Sequence, residues 1–111
     1  MTQLPNADRA VIDLRKLIDY CLDPIHPRGR HKARVFRATL GIEQTDAQWL
    51  QEAIAEALPS SEAVELTKDR YGTRWSVDIS VARQNVRVVI RTIWIVKAGE
   101  DVPRFVTCWV P

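Results

Sequence analysis

The sequence predicts an α+β domain in which three N-terminal helices pack on a four-stranded antiparallel β-meander. Two observations lead there. Up to Leu58 the apolar residues recur at the i, i+3, i+4, i+7 spacing of core-facing helices, and from Glu62 onward they alternate with polar ones. The alternating segments follow one another with only short turn signals between them, so sequential strands pair and lay their apolar face on the helices. With 111 residues, 46% hydrophobic and 27% charged, the chain has the size and composition of one globular domain, 1–111.

Asp13 is a good N-cap for the first helix, whose stripe is Leu14, Leu17, Ile18, Cys21 and Leu22. Asp23-Pro24 and His26-Pro27 then forbid helix continuation, because a residue before proline is pushed to extended geometry. Gly29 and Arg30 open a second helix with Ala33, Phe36 and Leu40 on one face, closed by Gly41 at the left-handed C-terminal position. A third begins at Thr45, whose spacing to Gln48 matches a capping box, and carries Trp49, Leu50, Ala53, Ile54, Ala57 and Leu58 before Pro59 ends it.

The first strand is short, around Val64 and Leu66, and turns at Asp69-Arg70-Tyr71-Gly72. In the second, Trp75, Val77, Ile79 and Val81 share one face while Arg74, Ser76, Asp78 and Ser80 share the other. After a reversal at Gln84-Asn85, Val86 to Val96 is apolar on both faces over its second half and belongs in the middle of the sheet. Gly99-Glu100-Asp101 leads into a last strand, Arg104 to Val110.

A net charge of +2 is too small to argue for nucleic acid by itself, so local clustering matters more than the sum. Cys21 and Cys108 sit in apolar runs without Cys-x-x-Cys spacing and read as buried free thiols; no metal or cofactor is expected. No apolar run approaches the ~18 residues of a membrane span, and the N-terminus lacks a basic region followed by an apolar one. A cytoplasmic protein that does not engage membranes is the expectation. There is no paired-carboxylate metal motif, no phosphate-cradling glycine loop and no Gly-x-Ser-x-Gly elbow.

The cluster that stands out runs from His26 through Arg37. It gathers both histidines and five of the sixteen Lys/Arg residues, with no acid between Asp23 and Glu43. His26 lies at a helix entrance, where free N–H groups and the dipole favour an anion, and it either serves acid/base chemistry or hydrogen-bonds the backbone to fix the loop. Lys32 with Arg28, Arg30 and Arg34 is either a phosphodiester clamp or a solvated helix face. Arg91, in a central strand, either pairs with Asp78 across the sheet or lines a cleft that Arg104 and Thr107 complete. Tyr71 belongs to a hairpin turn or stacks on a base. The four tryptophans, at core spacing, read as packing.

Five blocks resemble an uncharacterised bacterial domain family: Leu4-Pro5-Asn6-Ala7, His26-Pro27-x-Gly29-x-x-Lys32-Ala33-x-x-Phe36, Tyr71-Gly72-Thr73, Thr92-Ile93-Trp94-Ile95 and Pro103-Arg104-Phe105-Val106-Thr107. That family occurs as small stand-alone proteins and as the last module of polymorphic toxins. The resemblance, spanning nearly the whole chain, implies an effector, commonly a nuclease, and with it RNA and a small cognate antitoxin or immunity protein as partners. The helical half followed by a meander also looks, by fold-level analogy, like the metal-independent RNases of the barnase, colicin and RelE-like group. Thr107-Cys108-Trp109-Val110-Pro111 departs from the Thr-Ala/Leu-Tyr-Pro ending more typical of the family, so no terminal tyrosine is available here.

The expectation is therefore a toxin-like, metal-independent ribonuclease. His26 would do acid/base work, Lys32 and Arg91 would hold the phosphate with Thr107 beside them, and Arg28, Arg30, Arg34, Tyr71 and Arg104 would bind the substrate. The rival is a non-catalytic basic module that docks an acidic protein or nucleic acid.

Overall fold

The structure, a computed structural model, describes residues 2–111 and has the expected order of helices before strands. Helix α1 (Leu14–Lys16) is capped by Asp13, whose carboxylate accepts from the Arg15 amide. It continues as a π-helical segment (Leu17–Cys21), with the Leu22 amide bonded five residues back to the Leu17 carbonyl at 2.8 Å. The continuous α-helix expected here is thus corrected. The looser turn frees a carbonyl, and the Gln44 side-chain amide takes it up at Ile18, 2.7 Å away.

Helix α2 (Arg30–Leu40) buries Ala33, Phe36 and Leu40, the expected stripe, and ends at Gly41 with φ 65°. Helix α3 (Ala47–Ala57) buries Ala47, Leu50 and Ile54. Its expected Thr45 to Gln48 capping box is replaced by one two residues earlier. Glu43 and Asp46 exchange side-chain and backbone hydrogen bonds around the 3-10 turn Gln44–Asp46 that precedes the helix.

Strands β1 (Ala63–Asp69), β2 (Gly72–Arg83), β3 (Val86–Lys97) and β4 (Arg104–Trp109) form one antiparallel sheet in the order β1-β2-β3-β4. The register pairs Trp75 with Trp94, Val77 with Thr92 and Ile79 with Ile90, and these side chains are buried against the helices. The Gln84-Asn85 reversal is a two-residue turn with both φ positive, 51° and 68°, which matches the twist of the flanking strands. Inside the core the Trp94 indole N–H donates to Thr92 Oγ1, and that hydroxyl donates to the Val77 carbonyl, so the one buried polar side chain among the described residues is satisfied. Val64 and Leu66 lie on the other, open side of the sheet and are about half exposed.

Two features place β4 beside the helices. The Lys16 ammonium donates to the Phe105 carbonyl at 2.8 Å. The pairing of β4 with β3 also slips by one residue between Ile93 and Trp94, a bulge that re-aims the end of the strand. Beyond that slip lie Thr107, Cys108 and Trp109.

Candidate functional site

Lys32 is the centre of a polar cluster where α2 meets β4. Its Nζ donates to the Tyr20 hydroxyl at 2.8 Å and to Thr107 Oγ1 at 3.0 Å. It also lies 4.5 Å from the Tyr20 ring centroid and 5.3 Å from that of Trp109, so two aromatic rings flank the cation. An ammonium has three N–H groups. Two are directed by the protein and one remains for a ligand.

Tyr20 is brought there by the π-helical turn, which rotates it off the exposed side of the helix and leaves it half-buried. Gly29 makes the approach of α2 possible. A Cβ at that position would stand 2.0 Å from the Tyr20 carbonyl oxygen and 2.9 Å from its ring carbon Cδ1, although Gly29 itself has an ordinary φ of −87°.

His26 packs against the same ring, its centroid 4.8 Å from that of Tyr20. Its Nδ1 accepts from the backbone N–H groups of Arg28 and Gly29, both at 3.0 Å. A nitrogen that accepts cannot also hold a proton, so the neutral ring carries its proton on Nε2. His26 therefore caps the entrance to α2, and in the neutral ring its other nitrogen is an N–H donor. Of the two readings given for His26, the structure shows the backbone hydrogen bonds that fix the loop.

Behind Thr107 lie two thiols in contact, Cys21 and Cys108, both wholly buried. Hydrogen bonding from the Cys108 thiol lowers Cys21 to about 6, against the opposing pull of burial, and the Thr107 hydroxyl and the Lys32 charge act in the same lowering direction. Cys108 is raised well above the ordinary thiol value by its bond to Cys21 and by burial. Cys21 Sγ is 3.6 Å from Thr107 Oγ1, so the Thr107 hydroxyl links the thiol pair to the Lys32 ammonium.

Of the residues expected in the site, His26, Lys32 and Thr107 converge and Arg91 does not. Arg91 makes a two-pronged pair with Asp78, at 2.9 and 3.0 Å, on the open face of the sheet, since the pleat sends it away from the helices. Arg104 is engaged by Glu100 at 2.9 Å. Tyr71 sits at the β1–β2 turn with the Arg70 guanidinium against its ring. Arg30 and Arg34 lie with Arg37 along a groove of about 400 Å³ on the flank of α2 turned away from Lys32, as their i, i+4, i+7 spacing requires. Arg28, next to His26, is exposed and pairs with no carboxylate among the described residues.

Tyr20 and Trp109 are the site residues that sequence reasoning missed. Periodicity assigns Tyr20 to the wet side of an α-helix, and only the π turn brings it inward. Trp109 differs from the buried Trp75 and Trp94 in lying half-buried on the edge strand opposite Arg91, where its ring borders both the open face and Lys32. No three His, Cys, Asp or Glu side chains among the described residues are grouped to hold a metal ion, and no helix is long and apolar enough to cross a membrane.

A family model described as a domain of unknown function, DUF6883, matches residues 3–111. Neither the curated proteins nor the solved structures contain a match.

Proposed function

From a chain that belongs to the DUF6883 family, which carries no assigned activity, we propose a metal-independent ribonuclease of toxin-like type whose reacting phosphate binds at Lys32. The observation that carries this reading is the Lys32 ammonium held between the Tyr20 and Thr107 hydroxyls with one N–H unused, the His26 ring tilted against that of Tyr20. Such an array is suited to the charge that builds on a phosphodiester. The helix-then-meander order adds the fold-level analogy to barnase and RelE-like RNases.

In this reading the ribose 2′-oxygen bonds to phosphorus and the bond to the 5′-oxygen breaks. The 2′-proton passes to solvent. Lys32 offsets the developing negative charge, with the His26 Nε2–H as a second donor. The Tyr20 oxygen accepts from Lys32, so its own proton is free to go to the departing 5′-oxygen, and solvent restores it. The products are a 2′,3′-cyclic phosphate and a 5′-hydroxyl end. As a toxin-like effector the protein would act on cytoplasmic RNA and be restrained by a small antitoxin or immunity protein.

The test is incubation of single-stranded RNA with purified protein in EDTA, with analysis of the product ends. Lys32→Ala and Tyr20→Phe should each slow cleavage by about 10²-fold without unfolding the protein. Folded wild type that cleaves no RNA would overturn the proposal. One observation favours the rival reading of a binding module. With Nδ1 committed to the backbone, His26 offers no free base to the cleft. Expression in a bacterial host without a cognate partner separates the two, because only the nuclease is toxic.

A further inference from the structure

Between α2 and β4, against the Lys32 cluster, lies an open slot of about 350 Å³ lined by His31, Lys32, Val35, Trp109 and Val110. Its composition is unlike that of the arginine groove on the other flank. Its lining combines a cation, an indole and an imidazole with two aliphatic side chains, Val35 36% exposed and Val110 half-buried. A slot of that kind suits a flat, weakly polar ring that arrives attached to an anion. The indole is fixed by the strand and flanked by the ammonium, so a ring lying on it places its attached anion within reach of Lys32.

We propose that the slot is a nucleobase subsite in which Trp109 stacks on the base adjoining the phosphate held by Lys32, so that the protein selects unpaired RNA. This deepens the phosphate reading of Lys32 and rests on it. Stacking is tolerant of base identity, because every base presents a π-face. No side-chain amide lines the slot to read a Watson–Crick edge, so weak base preference is expected. A base inside a duplex is already stacked and paired, and entry would require pulling it out.

The experiment is equilibrium binding of labelled oligodeoxynucleotides, which lack the 2′-hydroxyl and remain intact. Three probes of equal length are compared: a single strand with bases, a single strand of abasic sites, and a duplex. Wild type should bind the base-bearing single strand about tenfold more tightly than either of the others. Trp109→Ala should erase the advantage over the abasic strand, and Trp109→Phe should keep most of it. Lys32→Ala should weaken both single strands. Equal binding of base-bearing and abasic strands by wild type would overturn the base subsite and leave the phosphate reading standing. Unchanged affinity in Lys32→Ala would overturn the phosphate reading itself. The wild-type comparison needs no variant, so a poorly folding Trp109→Ala does not blunt the test.

Discussion

Gly29→Ala separates close approach from ordinary backbone preference. The added Cβ would lie 2.0 Å from the Tyr20 carbonyl oxygen, against a tolerable contact of about 3 Å, so the α2 entrance and Tyr20 must part by about 1 Å. The obstacle is backbone, which cannot swing aside as a side chain can. Overpacking of this kind costs ~1–3 kcal/mol, and the smaller entropy of the unfolded chain with alanine returns up to ~1 kcal/mol. A net loss of about 1–2 kcal/mol follows, which for a chain of this length lowers the thermal midpoint by roughly 3–10 °C. Denaturation followed by circular dichroism reads the stability, and oligonucleotide binding reads the site. Both should fall, because the displacement pulls Tyr20 away from Lys32. Gly41→Ala is the control. It has open space but a φ of 65°, so it should cost about 1 kcal/mol in stability and leave binding unchanged. A Gly29→Ala protein with wild-type midpoint and wild-type binding would refute the reasoning.

Three further outcomes are expected. The Cys21 thiol is lowered in the fold from 9.0 to about 6, so its contribution is fully present above pH ~9 and is lost as pH falls through ~6. Stability should therefore rise between pH 6 and 9 by an amount on the order of a few kcal/mol at most, and Cys21→Ser should flatten the urea-midpoint profile over that window. Arg91→Ala should leave RNA cleavage at the wild-type level and barely move the midpoint of a denaturant melt, because its pair with Asp78 is solvent-exposed and makes no bond to Lys32. His26→Ala leaves the Arg28 and Gly29 amides uncapped and should cost about 1 kcal/mol, whereas His26→Asn, whose Oδ1 can accept the same bonds, should melt close to wild type.

Much of the fold was legible in the chain because each signal was local. The helix stripes, the Asp13 cap, the Gly41 stop and the change of period after Leu58 are set by residues within a few positions of one another. The site was legible only in part. His26, Lys32 and Thr107 stood out by residue type, but type does not say where a side chain points. Arg91 looked functional for being charged in a central strand, and the pleat placed it on the open face with Asp78 opposite. Tyr20 lies outside the expected helix stripe, and it is half-buried in the π turn beside Lys32.

By itself the sequence determined the class of domain, the order of its elements, the buried stripe of each helix and the concentration of cations on α2. Periodicity and caps act over one or two turns, and short-range sterics enforce them. Tertiary structure alone decided which cations meet. Arg30 and Arg34 were carried to one flank of α2, while Lys32 was set between Tyr20 from the preceding helix and Thr107 from the last strand, 12 and 75 residues away along the chain. That meeting depends on a π turn, on a glycine that lets two backbones touch, and on a one-residue slip in the β3–β4 ladder. Each is a response to packing between distant segments, and packing between distant segments leaves no periodic mark in a sequence.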